Sequence, residues 1–305
     1  MDIREKFLCA NTLNENEHIP YPSLITIIHK PTPQYGGSPK LLAMFLRILS
    51  LLFLIVTIGC DSTTETTPPA AQVTPTEQAL RFTIENMEAT DDPACATDPA
   101  RSCATIQLRY PVAQGGAPGV AERINDSLRV VLLGGLGMYE LPEANTMPEI
   151  SSQADTFLND FRAYRAEFPD SPMGWSVDAD GKVLYEDDAL VTLELGVSTF
   201  MGGAHPNSYV YIQSFDKQTG EPLPLDRLFA GPAPTEQQFR AAIRTARPEV
   251  VGGTESLEDA GFFWGEGFLA PTSYGAVGDS VYFYYNPYEI AAYAVGPTEF
   301  RLARK

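Results

Sequence analysis

Histidine is scarce in this chain of 305 residues: there are three, and His205 alone follows residue 29. A nucleophilic triad would have to be built on His205. The nearby Ser198, Ser208, Ser214 and Asp216 do not sit at a recognisable nucleophile turn. A zinc centre would have to complete its ligands with carboxylates, and no motif supplies them. Basic residues are also few, 21 Lys and Arg against 39 Asp and Glu, for a formal charge of −18. Residues 61–305 hold 16 basic and 35 acidic side chains, a net of −19. Such a surface repels phosphate backbones, which argues against a nucleic-acid partner. It suits a basic partner, and it equally fits a solvated acidic surface or a salty habitat. There is no G-x-G-x-x-G, P-loop, G-x-S-x-G or H-E-x-x-H, so no cofactor or metal is expected and no enzyme class is indicated.

Long apolar runs are missing as well. The longest, Ile48 to Gly59, is about half of the roughly 20 residues needed to span a bilayer. With Arg47 before it, the stretch MFLRILSLLFLIVTIGC (Met44 to Cys60) reads as a signal peptide. It ends in Thr57-Ile58-Gly59-Cys60, which resembles a bacterial lipobox, with Thr57 in place of the usual Leu. Cys60 is the expected lipidation site, Met44 the expected start, and residues 1–43 an over-extended gene start. Residues 61–79 are rich in Thr, Pro and Glu and hold too little apolar surface to offset the entropy of ordering. They read as a disordered tether with a reach of up to about 50 Å. The chain as a whole reads as a membrane-anchored protein of the cell envelope, facing the periplasm or the cell exterior.

Cysteine is limited to four residues. Cys9 lies in the discarded segment and Cys60 carries lipid, which leaves Cys95 and Cys103 around Asp-Pro turns. In an exported protein this close pair reads as one local disulfide.

The remainder mixes both periodicities. Strands are expected over Leu80 to Thr90 and around Ile106, Leu108 and Tyr110. A helix places Val120, Ile124, Leu128, Val131 and Leu132 on one face, with Gly134 and Gly135 as its stop. A second carries Phe157, Leu158, Phe161, Tyr164 and Phe168 and stops before Pro169. Trp175 begins a strand, and Asp178 to Lys182 (DADGK) reads as a hairpin turn. Val191, Leu193, Leu195 and Val197 alternate with Thr192, Glu194 and Ser198, as in a sheet with one wet face. SYVYIQSFD follows and turns at Lys217 to Gly220. Thr235 and Gln238 fit a capping box ahead of a helix with Phe239, Ala242, Ile243 and Ala246 on its apolar face. Val281 to Tyr285 and Thr298 to Ala303 read as strands around Asn286-Pro287. The fold class is α+β, a mostly antiparallel sheet packed with helices, in two small subdomains over residues 80–188 and 189–305.

His205 lies in Gly202-Gly203-Ala204-His205-Pro206-Asn207, a composition suited to a strand-to-strand corner. The acidic runs Glu186-Asp187-Asp188 and Asp91-Asp92 have no metal-loop spacing, and adjacent acids on a turn diverge. Tyr209 and Tyr211 share one strand face, and Tyr282 and Tyr284 share another. In one sheet these four tyrosines would form a platform for a glycan or a protein partner, or would pack under a helix.

Two stretches resemble a known family. FMGGAHPNSYVYIQSFDKQTGEPLPLDRLF, from Phe200 to Phe229, and VYFYYNPYEIAAYAVGPTEFRL near the end are similar to the C-terminal domain of RsiV-type anti-sigma factors and PdaC-type peptidoglycan deacetylases. Gly202, Gly203, His205 and Pro206 match the first signature, and Asn286, Pro287 and Tyr288 lie in the second. The resemblance implies an extracytoplasmic, non-catalytic module, whose relatives in the anti-sigma factors recognise lysozyme, and it implies a structural role for these seven residues. The functional expectation is a lipid-anchored binding or sensing module for a cell-wall glycan or a basic protein such as lysozyme. The alternative is a glycan hydrolase using acidic residues.

Overall fold

The computed structural model describes residues 79–98, 101–138, 147–264 and 267–304. The expected signal peptide, Cys60 and nearly all of the tether lie outside these residues. Eight strands form one sheet in chain order. They are β1 (Arg81–Thr90), β2 (Ala104–Gln114), β3 (Trp175–Glu186), β4 (Leu190–Phe200), β5 (Asn207–Asp216), β6 (Ser273–Val277), β7 (Ser280–Tyr285) and β8 (Thr298–Ala303). Neighbours are antiparallel except β2–β3 and β5–β6. Parallel neighbours need a crossover, and here each is a pair of helices. The first pair is α1 (Val120–Gly135) and α2 (Ile150–Glu167), and the second is α3 (Glu236–Ala246) and the short α4 (Pro248–Val251). The architecture is α+β, as the alternation of periods implied.

Two cores follow from this. Period-two alternation sends Val191, Leu193, Leu195 and Val197 of β4 to one face, where they meet Ile106, Val177 and Phe215 under the apolar stripes of α1 and α2. Leu190, on the opposite face of β4, joins a second core with Phe239 and Ile243 of α3 and with Val281, Phe283, Tyr285 and Phe300. A single ladder bridge, Gln213 to Tyr274, joins β5 to β6. A buried polar cluster reinforces it: Thr192 Oγ1 lies 2.7 Å from Ser214 Oγ and donates to the Ala276 carbonyl at 2.7 Å. Ala276 N–H in turn donates to Ser214 Oγ at 2.9 Å. Thr192 is therefore buried although its position on β4 reads as wet.

Four sequence expectations need correction. The DADGK stretch is not a turn, because β3 runs straight through it. Val177, Ala179 and Gly181 face inward and Asp178, Asp180 and Lys182 outward, so alternation overrides the Asp-Gly turn signal. Gly181 is needed for space: a Cβ there would lie 2.7 Å from Pro111 Cδ. The true hairpin turn is at Asp187-Asp188, so a division at residue 188/189 falls inside a hairpin whose strands pair from Ser176 to Phe200. Gly134 and Gly135 lie within α1, and the left-handed residue beyond it is Gly137, at φ 86°. Gly135 lets the helix approach the sheet, since a Cβ would meet Val197 Cγ1 at 2.4 Å. Phe168 leaves the apolar stripe of α2 and is 46% exposed, against Tyr164.

Candidate functional site

The two signature stretches, some eighty residues apart, meet at one corner. Gly202 and Gly203 take φ of 103° and 108° in the β4–β5 connection, which only glycine adopts freely. His205 follows, with Nδ1 2.9 Å from the Pro206 carbonyl. Its ring stacks on Tyr293 at 3.6 Å between centroids and 9° between planes, and the Tyr288 hydroxyl lies 3.5 Å from Nε2. Asn286 opens the turn after β7 and is buried. Its amide accepts from Val210 N–H at 2.7 Å and donates to Val210 C=O at 3.1 Å, replacing a strand neighbour for β5. Glu289 closes the turn by accepting from Asn286 N–H and from Thr272 Oγ1. Burial pushes the Glu289 carboxyl up, against these bonds. The corner thus brings together Gly202, Gly203, His205 and Pro206 with Asn286, Pro287 and Tyr288. Among the described residues, no serine or carboxylate bonds to His205, so the arrangement positions strands and offers no nucleophile–base pair.

The four tyrosines are not one platform. The register through Gln213 to Tyr274 and Tyr274 to Phe283 puts Tyr209 and Tyr211 on the opposite sheet face from Tyr282 and Tyr284. Tyr211 is 4% exposed and Tyr209 half-buried, both against the first core. Tyr282 and Tyr284 are half-buried, and the Tyr282 hydroxyl donates to Glu299. Burial, with neighbouring carboxylates, raises both of their hydroxyls.

The acidic runs are engaged locally. Cys95 and Cys103 form a disulfide with Cα atoms 6.1 Å apart. Asp91 accepts from Ala104 N–H at 2.7 Å, while Asp92 caps Ala94 N–H at 2.8 Å and pairs with Arg101. Asp91 lies near both sulfur atoms, but these are bonded to each other and cannot ligate as thiolates. In the hairpin turn, Asp187 accepts from Ala189 and Leu190 N–H at 2.9 Å each. Burial pushes the Asp187 carboxyl up, but these N–H bonds win and hold it below the ordinary range.

A concavity of about 610 Å³ lies elsewhere, on the sheet face opposite α1 and α2. Two cross-strand rows make its floor. One runs Glu88, Gln107, Asp178, Ser198, Ser208 from β1 to β5. The other runs Asn86, Arg109, Asp180, Gly196, Val210. Arg109 pairs with Asp180 at 2.8 Å. One position further on, Lys182 pairs with Glu194 at 2.7 Å. Asn86, Glu88, Gln107 and Asp178 have exposed side chains, and no hydrogen bond or ion pair to a described residue occupies their polar atoms. Of these floor residues the sequence reading named Ser198 and Ser208, as serines near His205, and Asp178 and Asp180, in the expected DADGK turn, but none of them as part of a binding face. Their signal was the polar half of each strand's alternation, but which strands stand side by side is set by the crossovers. Val210, at the end of the second row, is the residue Asn286 grips, so the signature corner forms one rim of this face.

The fold and this face define an α+β protein with one eight-stranded sheet, two cores and a polar, concave sheet face. Residues 99–208 match the family model described as Deacetylase PdaC, and residues 229–305 match that described as Protein of unknown function (DUF3298). The first match runs past residue 188 through β4. A DUF3298 family member from Bacteroides fragilis NCTC 9343 is similar at 20% identity, with a TM-score of 0.54 over 74% of this chain and 91% of that one. A DUF3298 family protein from Pseudomonas aeruginosa PAO1 is similar at 18% identity, with a TM-score of 0.49 over 74% and 92%. No curated protein matches. Among the described residues, no helix is long and apolar enough to cross a membrane.

Proposed function

We propose that this protein is an extracytoplasmic binding module of the bacterial cell envelope, held to a membrane through lipid on Cys60, that takes its ligand on the concave polar face. The observation that carries this reading is the pair of cross-strand rows. Four of their side chains, Asn86, Glu88, Gln107 and Asp178, sit together with their hydrogen-bonding capacity unspent inside the protein. A concavity of this size lies within the roughly 300–1,000 Å³ of ligand sites. Amides and carboxylates in rows suit the hydroxyls of a cell-wall glycan. The acidic surface favours a second reading, a basic protein such as lysozyme, since opposite charge steers association.

The face supports binding better than hydrolysis. Of its acids, Asp180 and Glu194 are tied to Arg109 and Lys182, and Glu88 and Asp178 are held apart by β2. Glycoside cleavage needs two carboxylates roughly 5–9.5 Å apart on either side of one bond, and the strand spacing between Glu88 and Asp178, about 10 Å, lies just beyond that range.

The test is to titrate the purified full chain with muropeptides and with lysozyme at low and physiological salt, and to incubate it with peptidoglycan. Saturable binding without release of sugar is expected. Glycan cleavage, or no binding to either probe, contradicts the proposal. Intact mass of the membrane-extracted protein checks the anchor: a mature chain beginning elsewhere than Cys60 removes it.

A further inference from the structure

We infer that Tyr288 is a stacking residue for glycan: its ring covers one face of an uncharged pyranose beside the polar face. This inference rests on the glycan reading proposed above, and it goes beyond the structural role that the signature implies for this residue. The first argument is the backbone. Tyr288 takes φ of 70° and is the one non-glycine residue with positive φ among the described residues. A Cβ makes that conformation costly, and Gly or Asn takes it with less strain. Burial does not offset the cost, because Tyr288 is 53% exposed. The turn is fixed without its side chain: Asn286 C=O accepts from Glu289 N–H at 3.1 Å, and Ile290 C=O accepts from Phe263 N–H at 2.8 Å. A tyrosine that is strained in its backbone and open to solvent is kept for what its ring meets there.

The surroundings select an uncharged ligand. Residues 200–207, 261–264, 267–272 and 286–297 are joined at this end of the sheet, through His205 to Tyr288 and Tyr293 and through the Phe262–Ala291 bridge. They contain no Lys or Arg and one carboxylate, Glu289, which is engaged by Thr272 and Asn286 N–H. The chain carries a formal charge of −18, yet these segments are nearly free of it. They also hold three of the five exposed large apolar side chains among the described residues, Phe263, Leu269 and Tyr288. His205 and Tyr293 stack on each other, whereas the Tyr288 ring is tilted to them by 34° and 35° and stacks on neither. A ring left open in this way covers the flat apolar side of a pyranose, and its polar tip bonds the sugar hydroxyls.

Two other occupants fit less well. Half-exposed side chains of this size offer roughly 100 Å² each, so the three come to roughly 300 Å², against about 800 Å² a side for a standard protein interface. A second copy of the chain would have to extend the contact over acidic surface of its own sign. The bilayer proposed to hold Cys60 is on the wrong side. β1 enters the sheet at Arg81, and it is its other end, Thr90, that stands in line with Thr105, Ser176 and Phe200, next to the corner. A tether ending at residue 79 therefore arrives about 30 Å from this end.

The experiment is calorimetric titration of the full chain with an N-acetylglucosamine hexamer, beside thermal melting of each variant. The parent is expected to bind saturably. Tyr288→Gly removes the ring and relaxes the positive φ; it is expected to lose at least about tenfold in affinity while melting as the parent does. Tyr288→Phe keeps the ring and is expected to stay within about threefold of the parent. A tyrosine with a structural role alone would shift the melting temperature and leave affinity unmoved. No hexamer binding by the parent, or parental affinity in Tyr288→Gly, overturns the inference. Dimers that Tyr288→Gly dissolves, or quenching of Trp264 by brominated lipid in vesicles carrying the chain, overturn it too, by giving the ring to a second copy or to the bilayer. Gly196→Val separates the ring from the face. If Gly196→Val blocks the hexamer and Tyr288→Gly does not, the face stands as the site and only the Tyr288 assignment falls. If Tyr288→Gly blocks it and Gly196→Val does not, the stacking contact stands and the face is wrong.

Discussion

The Asn286 side chain and the Val210 backbone pair as two adjacent strands would, through an N–H···O bond of 2.7 Å and its reciprocal of 3.1 Å. The contact ties the turn after β7 to the edge of β5, just where the ladder to β6 has not yet begun. Asn286→Ala leaves Val210 N–H without its acceptor and takes one of two donors from its carbonyl, the other being Ser273 Oγ at 2.6 Å. A loss of about 2–4 kcal/mol is expected, since each stranded buried group costs about 1–3. Urea denaturation measures it. A loss below about 1 kcal/mol would mean that water replaces the amide.

His205 is expected to behave as a structural residue. His205→Ala removes the stack on Tyr293 and the bond to Pro206. Stability should fall by about 1 kcal/mol, in the range of an aromatic pair, with ligand affinity unchanged. Unchanged stability together with lost binding would move the site to the corner.

These two residues show how far the sequence could be read. The Gly-Gly-Ala-His-Pro and Asn-Pro-Tyr-Glu stretches were legible as corners from their backbone chemistry. Their meeting was not, because a contact over some eighty residues leaves no local periodicity. Strand β6 went unnoticed: SYGAV has only five residues, and Gly275 is there because a Cβ would meet Thr192 Cγ2 at 2.3 Å. The DADGK stretch misled for a related reason. Asp-Gly is a strong turn signal, yet Gly181 is demanded by close approach of Pro111 and Leu195 within a strand. The tyrosine pairs were assigned correctly to shared strand faces, but the one bridge from β5 to β6 puts those faces on opposite sides.

Stability is expected to carry a pH signature from Glu289. Burial raises its folded-state carboxyl above the ordinary value of 4.5. Between the two values the folded chain binds more protons than the unfolded chain. This contribution is therefore fully present below about 4.5 and is lost as pH rises through the folded value. Glu289→Gln keeps one acceptor oxygen, for Asn286 N–H, replaces the other with an amide NH2 that can donate to Thr272 Oγ1, and removes the titration. Denaturation midpoints from pH 4 upward should fall less steeply in the variant than in the parent, by roughly 1 kcal/mol per unit shift removed. Parallel slopes would exclude Glu289 as the source.

The disulfide should stabilise the entry to β2. Cys95 and Cys103 close a short loop ahead of that strand, and Arg165 holds the Ser102 carbonyl beside it at 2.9 Å. Replacing both cysteines by serine is expected to cost about 2–3 kcal/mol, with cooperative unfolding retained. Reductant should reproduce the loss in the parent and leave the double variant unmoved. A parent insensitive to reductant would show the bridge to be dispensable.

The polar face as binding surface is tested most directly by the affinity of Gly196→Val for the ligand of the parent chain, measured beside its melting temperature. A Cβ at Gly196 has no neighbour closer than 3.8 Å, so the strand has room for a side chain at this position. The expected result is a melting temperature equal to or above that of the parent, with affinity reduced by at least about tenfold. Parental affinity in a normally folded Gly196→Val chain would contradict the account.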